Sequence, residues 1–227
     1  MQPTIPEDLF ATKGIEYLLV LGFLVALILF WRLLNSPVSE VVRNALAGLS
    51  QWFRFPEQLY YHPGHSWARL EQGNVVVVGM DDFAQKLLGP AERINFPPLG
   101  ARLESGRRGW GLDVSAKNFN LLSPVGGEVI ALNDAVLEDP ALINQDPYGN
   151  GWLLKIRVPS VRQALRQLLH GRKAKGWVEE TEAALQRKMS SPTAAVLPDG
   201  GSLVTGFARS LDPEKWDEIA REFLMSE

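Results

Sequence analysis

Gly106-Arg107-Arg108-Gly109-Trp110-Gly111-Leu112-Asp113-Val114-Ser115-Ala116-Lys117 and, shortly after it, Ser123-Pro124-Val125-Gly126-Gly127-Glu128-Val129 decide how this chain is read. Gly109 to Val114, Asn120 to Leu122 and Gly127 to Leu132 are short runs of β formers punctuated by Gly, Pro and Asn, and each reads as a strand. Lys117 stands at the end of the first run. A third string, Asp146-Pro147-Tyr148-Gly149-Asn150-Gly151-Trp152, is a turn by its chemistry. Its proline fixes φ, its glycines permit φ > 0, and Tyr148 and Trp152 can anchor it to a core.

The same punctuation continues outward. Ser66 to Leu70 and Asn74 to Val78 read as strands joined by Glu71-Gln72-Gly73. Asp81 to Leu88 reads as a short helix, capped by Asp81 or Asp82 and closed at Gly89. Arg93 to Phe96 and Trp152 to Val158 complete the strand set, and many short strands imply a compact barrel or sandwich. Beyond Pro159 the pattern turns helical over Val161 to Leu169, about 174–189, and a last helix that starts at Asp212-Pro213 and runs to Leu224. Ser190 to Ser202 reads as a loop.

The chain has 227 residues, a net charge of −3 and no cysteine. That excludes disulfides and thiolate chemistry, and it gives no global basic signature for nucleic acid. Tyr17 to Trp31 is fifteen residues without a charge, extended by Arg32-Leu33-Leu34. As a helix this spans roughly 22–27 Å against the ~30 Å bilayer core, with Arg32 able to snorkel and Tyr17 and Trp31 at interfacial positions. A cleaved signal peptide needs a basic start, whereas Glu7, Asp8 and Glu16 against Lys13 sum to −2. The expectation is an uncleaved single-pass anchor in the cytoplasmic (inner) membrane, with Arg32, Arg43 and Arg54 holding the globular part in the cytoplasm. Val38, Val41, Val42, Ala45, Leu46, Leu49, Trp52 and Phe53 then form one apolar stripe at helical spacing. The stripe suits a helix lying on the membrane or one packed on the following domain.

No constellation for catalysis is present: there is no phosphate-cradling loop, no G-x-S-x-G, and few histidines to build a triad. His62-Pro63-Gly64-His65 reads as a turn rather than a metal pair, since Pro and Gly break helical spacing and no third ligand is near. Arg107-Arg108 and the group Arg162, Arg166, Arg172, Lys173 and Lys175 are local basic patches, solvated by default and open to acidic partners or anionic lipid.

From about Tyr60 to Val158 the order and spacing resemble the H protein of the glycine cleavage system, a relative of lipoyl and biotinyl domains. The matching strings are His65-Ser66-Trp67, Val78-Gly79-Met80-Asp81-Asp82-Phe83-Ala84-Gln85, Leu88-Gly89, Pro98-Leu99-Gly100 and Ser123 to Val129, then Asn133, Pro140 and Asn144 through Leu153. The resemblance implies a mainly β barrel-sandwich hybrid with a short side helix, here with an N-terminal transmembrane helix and C-terminal helices added. It also implies a lipoylated lysine at a hairpin tip, within a pattern like E-S-V-K-A. Aligned without a gap, Asp113 takes the acidic position and Ala116 the lysine position, so Lys117 falls one residue late.

The expected organisation is a tail over 1–14, a transmembrane helix over 15–35, an amphipathic connecting helix over 36–57, the H-protein-like domain over 58–159 and a helical extension over 160–227. The expected role is a non-catalytic, membrane-tethered docking or assembly module without cofactor or metal. Its partners are the bilayer and an enzyme complex, not nucleic acid, and it has no small-molecule substrate of its own. The alternative is a genuine carrier with lipoate on Lys117, shuttling aminomethyl groups or electrons.

Overall fold

The computed structural model describes residues 8–34, 52–189 and 205–226. The chain divides into two compact units, 1–48 and 49–227. Of the first, the described part is one helix, α1 (Asp8–Leu34), which begins earlier than the span expected over 15–35. The described apolar side chains of α1, from Tyr17 to Trp31, are exposed. Among the described residues no helix is long and apolar enough to cross a membrane, so the expected transmembrane helix is not shown there. Most of the expected connecting helix over 36–57 lies outside the described residues. Its last residues, from Trp52 onward, are turn and extended chain, and they bury Phe53 in the second unit.

The second unit is built on two antiparallel sheets. Strands β1 (Tyr60–His62), β2 (Ser66–Leu70), β3 (Val75–Met80), β4 (Arg93–Asn95), β5 (Arg102–Leu103), β6 (Arg108–Val114), β7 (Lys117–Leu122), β8 (Gly127–Leu132) and β9 (Leu154–Arg157) follow in chain order. One sheet runs β1-β2-β3-β9-β8-β5 and the other β4-β6-β7. This matches the mainly β fold with helices that the sequence implies, with β1 and β5 as added short strands. The side helix α2 (Asp82–Leu88) forms because the Asp81 side chain accepts from the Ala84 N–H at 2.9 Å. It ends because Gly89, at φ 89°, turns the chain away.

The turn string at 146–152 holds the strands and α2 together. Asp146 accepts from the Gly149 and Asn150 N–H groups at 3.1 and 2.7 Å. The Trp67 indole donates to the Met80 and Pro147 carbonyls at 3.1 and 3.0 Å. The Tyr148 hydroxyl accepts from the Asp82 N–H at 3.0 Å and donates to the Arg54 carbonyl. Asn133 donates to the Asn150 and Trp152 carbonyls at 2.7 and 2.6 Å, joining the loop to the end of β8. The polar groups named here are thus paired where the turn meets the core, as burial requires.

Short helices α3 (Asp134–Glu138) and α4 (Leu142–Gln145) fill the β8–β9 connection. After β9 come α5 (Val161–Arg166), α6 (Arg172–Met189), α7 (Phe207–Leu211) and α8 (Trp216–Leu224). The last helix starts later than its Asp212-Pro213 signal, because the Asp212 carboxylate first caps the Glu214 and Lys215 N–H groups, both at 3.0 Å. The expected loop at Ser190 to Ser202 lies outside the described residues. Leu185, Phe207, Ala208, Leu211, Trp216, Ala220 and Leu224 belong to the same core as the barrel strands, so the C-terminal helices fold onto the barrel. Large apolar side chains among them contribute roughly 1.5–3 kcal/mol each on burial.

Two glycines separate packing from propensity. A Cβ at Gly127 would lie 2.3 Å from the Arg157 carbonyl oxygen, which is backbone and cannot yield, whereas one at Gly176 in α6 meets nothing within 4 Å. Gly127→Ala should lose about 1–3 kcal/mol in denaturant unfolding. Gly176→Ala should gain about 1 kcal/mol.

Candidate functional site

The hairpin of β6 and β7 pairs Leu112 with Phe119, Asp113 with Asn118, and Val114 with Lys117. Only Ser115 and Ala116 remain between the strands, at φ 47° and 62°. Positive φ at both central residues is the signature of a type I′ turn, whose twist suits a two-residue hairpin. Ser115 and Ala116 therefore form the tip, and Lys117 is the first residue of β7. Side chains alternate along a strand. Lys117 shares the face of Val114, Leu112 and Phe119, all of which are buried, so it projects toward the core side at the end of the sheet.

Asp113 lies on the other face. It accepts from the Asn118 amide at 2.7 Å and the Asn95 amide at 3.2 Å. These two donors, Asn118 first, hold its carboxyl below the usual carboxylate range. The Ser115 N–H donates to Glu92 at 3.0 Å, fixing the tip from the side. A shallow cleft of about 280 Å³ lies here, lined by Glu92, Arg93, Asp113, Ala116, Lys117 and Asn118.

On the core side the hairpin meets α8. The Lys117 Nζ sits 3.0 Å from Asp217 Oδ2, in the first turn of that helix. Arg221 donates to the Asn118 carbonyl at 2.9 Å and stacks over the Phe119 ring at 5.3 Å. Phe119 in turn packs against Trp216 with ring centroids 5.3 Å apart. The hydrogen bond from Lys117 holds the Asp217 carboxyl below its usual range. Lys117 itself is about half exposed, at 48%. Neither Asp217 nor Arg221 carries a local signal as a partner of the hairpin, because about a hundred residues separate them from it.

The remaining sequence candidates lie apart from the tip. His62-Pro63-Gly64-His65 is the turn between β1 and β2, as expected, with the His65 N–H donating to the His62 carbonyl at 2.9 Å. The His65 Nδ1 lies 2.8 Å from Asp81 in the buried interior, and its ring stacks on Phe83 at 4.4 Å. Among the described residues no group of His, Cys, Asp and Glu is arranged to hold a metal. Arg162, Arg166, Arg172, Lys173 and Lys175 are all exposed on α5 and α6.

Residues 59–181 match the family profile described as glycine cleavage H-protein. The match runs past the boundary expected at 159 and takes in α5 and the first half of α6. A glycine cleavage system H protein of Bacteroides thetaiotaomicron is 38% identical over 115 residues, covering 51% of this chain and 90% of that protein. One from Anaeromyxobacter sp. (strain K) is 38% identical over 128 residues, covering 56% and 98%. The crystal structure of a glycine cleavage system H protein from Mycobacterium marinum, 25% identical, covers 56% of this chain and 98% of its own, with a TM-score of 0.49.

The contact between Lys117 and Asp217 makes a specific prediction. In Asp217→Asn, acylation of Lys117 by an amine-reactive ester, read by peptide mass spectrometry, should rise roughly two- to fivefold, the scale of an exposed ion pair. Lys155, which pairs with Glu71 elsewhere on the surface, serves as the internal reference and should not change.

Proposed function

The chain belongs to the glycine cleavage H-protein family, and from that premise we propose that it is a membrane-tethered docking or assembly module whose Lys117 carries no lipoyl group. As a member of that family it is a non-catalytic carrier-family protein, not an enzyme. The observation that supports the docking role is the two-residue tip, Ser115-Ala116, with Lys117 already in β7. A lysine that receives a lipoyl group from a modifying enzyme has to be offered at the apex. Here the apex offers a methyl group. A lipoyl group therefore does not fit the residues present: at Lys117 it would start on the core-facing side, and acylation would remove the charge that meets Asp217. No step of transfer is assigned to the chain on this reading.

The hairpin and the C-terminal helices are then a surface for a protein partner, an enzyme complex of the glycine cleavage type. The tether is α1. Its support is the fifteen-residue stretch without charge from Tyr17 to Trp31 and the exposure of large apolar side chains there, including Phe23 and Phe30. Left in water, such a surface is far larger than soluble chains tolerate. The proposed location is the inner membrane with the globular unit in the cytoplasm, in keeping with Arg32, Arg43 and Arg54 after the stretch.

A second reading, a working lipoyl carrier, draws on the family itself and on the half-exposure of Lys117. The two readings part in a strain whose own copy carries Lys117→Arg. The docking role expects wild-type growth and an intact partner complex, because arginine keeps the charge toward Asp217. A phenotype equal to deletion of the whole chain would sink it. The tether is tested by flotation: the full chain should float with membranes after alkaline extraction, and Leu21→Arg/Val25→Arg/Ile28→Arg should release it. A wild-type chain that stays in the soluble fraction would remove the membrane from the proposal.

A further inference from the structure

Helix α6 turns Ala174, Thr181, Glu182 and Leu185 toward the interior, and three of these suit a core-facing helical stripe. Glu182 does not. It is 5% exposed, and its Oε1 atom has no hydrogen-bond partner. A buried carboxylate oxygen without a donor departs from the rule that such atoms are satisfied, and such departures gather at functional or strained sites.

Glu182 lines a cavity of about 500 Å³ between α6 and the segment that leads into β1. Phe53, Phe55, Tyr61, Ala174 and Val178 supply apolar walls. The charged groups that face it from the other positions are Glu57, Arg172, Lys175 and Glu179, all exposed to solvent. Water screens those four, so the charge inside the cavity is that of Glu182. Its size falls within the usual range of small-ligand sites, roughly 300–1,000 Å³.

We propose that this cavity binds a small organic ammonium ion, with Glu182 accepting hydrogen bonds from the ammonium group and the aromatic and aliphatic walls enclosing a short apolar stem. Three features select this chemistry. An ammonium carries only donors, which matches an acceptor left without one. A cation is also compatible with aromatic walls such as Phe55 and Tyr61, whose rings attract positive charge. An anion would meet Glu182 with like charge, and an alcohol would leave its charge uncompensated. Burial, and then the neighbouring Glu179, raise the Glu182 carboxyl above its ordinary range, and a bound cation relieves both effects. The site is remote in sequence from the hairpin tip and does not depend on whether Lys117 is modified.

The test uses n-butylammonium as the probe, with n-butanol and butyrate as controls, on the full chain in zwitterionic lipid nanodiscs. Binding is followed by saturation-transfer NMR at constant ionic strength. Butylammonium should saturate with a dissociation constant on the order of 1 mM, consistent with a five-heavy-atom ligand. Glu182→Gln, which keeps size and fold, should weaken it about tenfold or more. Both controls should bind the wild type at least about tenfold less tightly. Glu182→Leu should abolish binding while leaving the thermal midpoint equal or higher, since it replaces a buried acid by an apolar side chain. Failure of butylammonium to saturate on the wild type would overturn the proposal. So would equal affinity in Glu182→Gln, or n-butanol binding as tightly as the amine.

Discussion

The two-residue connection between Val114 and Lys117 is the constraint on which the reading of this molecule depends. In a hairpin the pairing register decides which residues stand at the tip, and a shift of one residue sends a side chain to the opposite face. Val114 is buried and must face inward, so its partner Lys117 faces inward too. Moving Lys117 into the turn would re-pair the hairpin and undo the observed partnerships of Val114 with Lys117, Leu112 with Phe119 and Trp110 with Leu121.

The C-terminal helices reinforce the same arrangement. α8 lies against β7 through Trp216 on Phe119 and through Arg221 on the Asn118 carbonyl, and it presents Asp217 where the Lys117 ammonium ends. The family match ends at residue 181, ahead of α7 and α8. The part of the chain beyond the family match is therefore what covers the inner side of the hairpin.

Much of the fold was legible because its signals are local. Asp81 and Gly89 announce the side helix, the glycines and proline of 146–152 announce a turn, and β2 and β8 follow from runs of β formers. The tip of the β6–β7 hairpin was less legible. Ser115-Ala116 contains none of the Asn, Asp or Gly that mark a type I′ turn, so local chemistry placed β7 to start at Asn120, whereas long-range packing starts it at Lys117. β1 and β5 were too short to carry a period. Asp217 as the partner of Lys117 had no sequence signal, since the contact exists only once α8 has packed on the barrel. Glu182 was hidden for a similar reason: in sequence it is one acid among several, and only the fold shows that it faces inward.

The central claim is that the attachment position of this family is filled by Ala116 and that Lys117 does not replace it. Intact-mass measurement after co-expression with a lipoate-attaching enzyme tests this most directly, with the wild type beside Ala116→Lys/Lys117→Ala. The account predicts an unmodified wild type and one added lipoyl group on the double variant, whose lysine stands at the tip. A wild-type chain carrying the lipoyl group on Lys117 would contradict it.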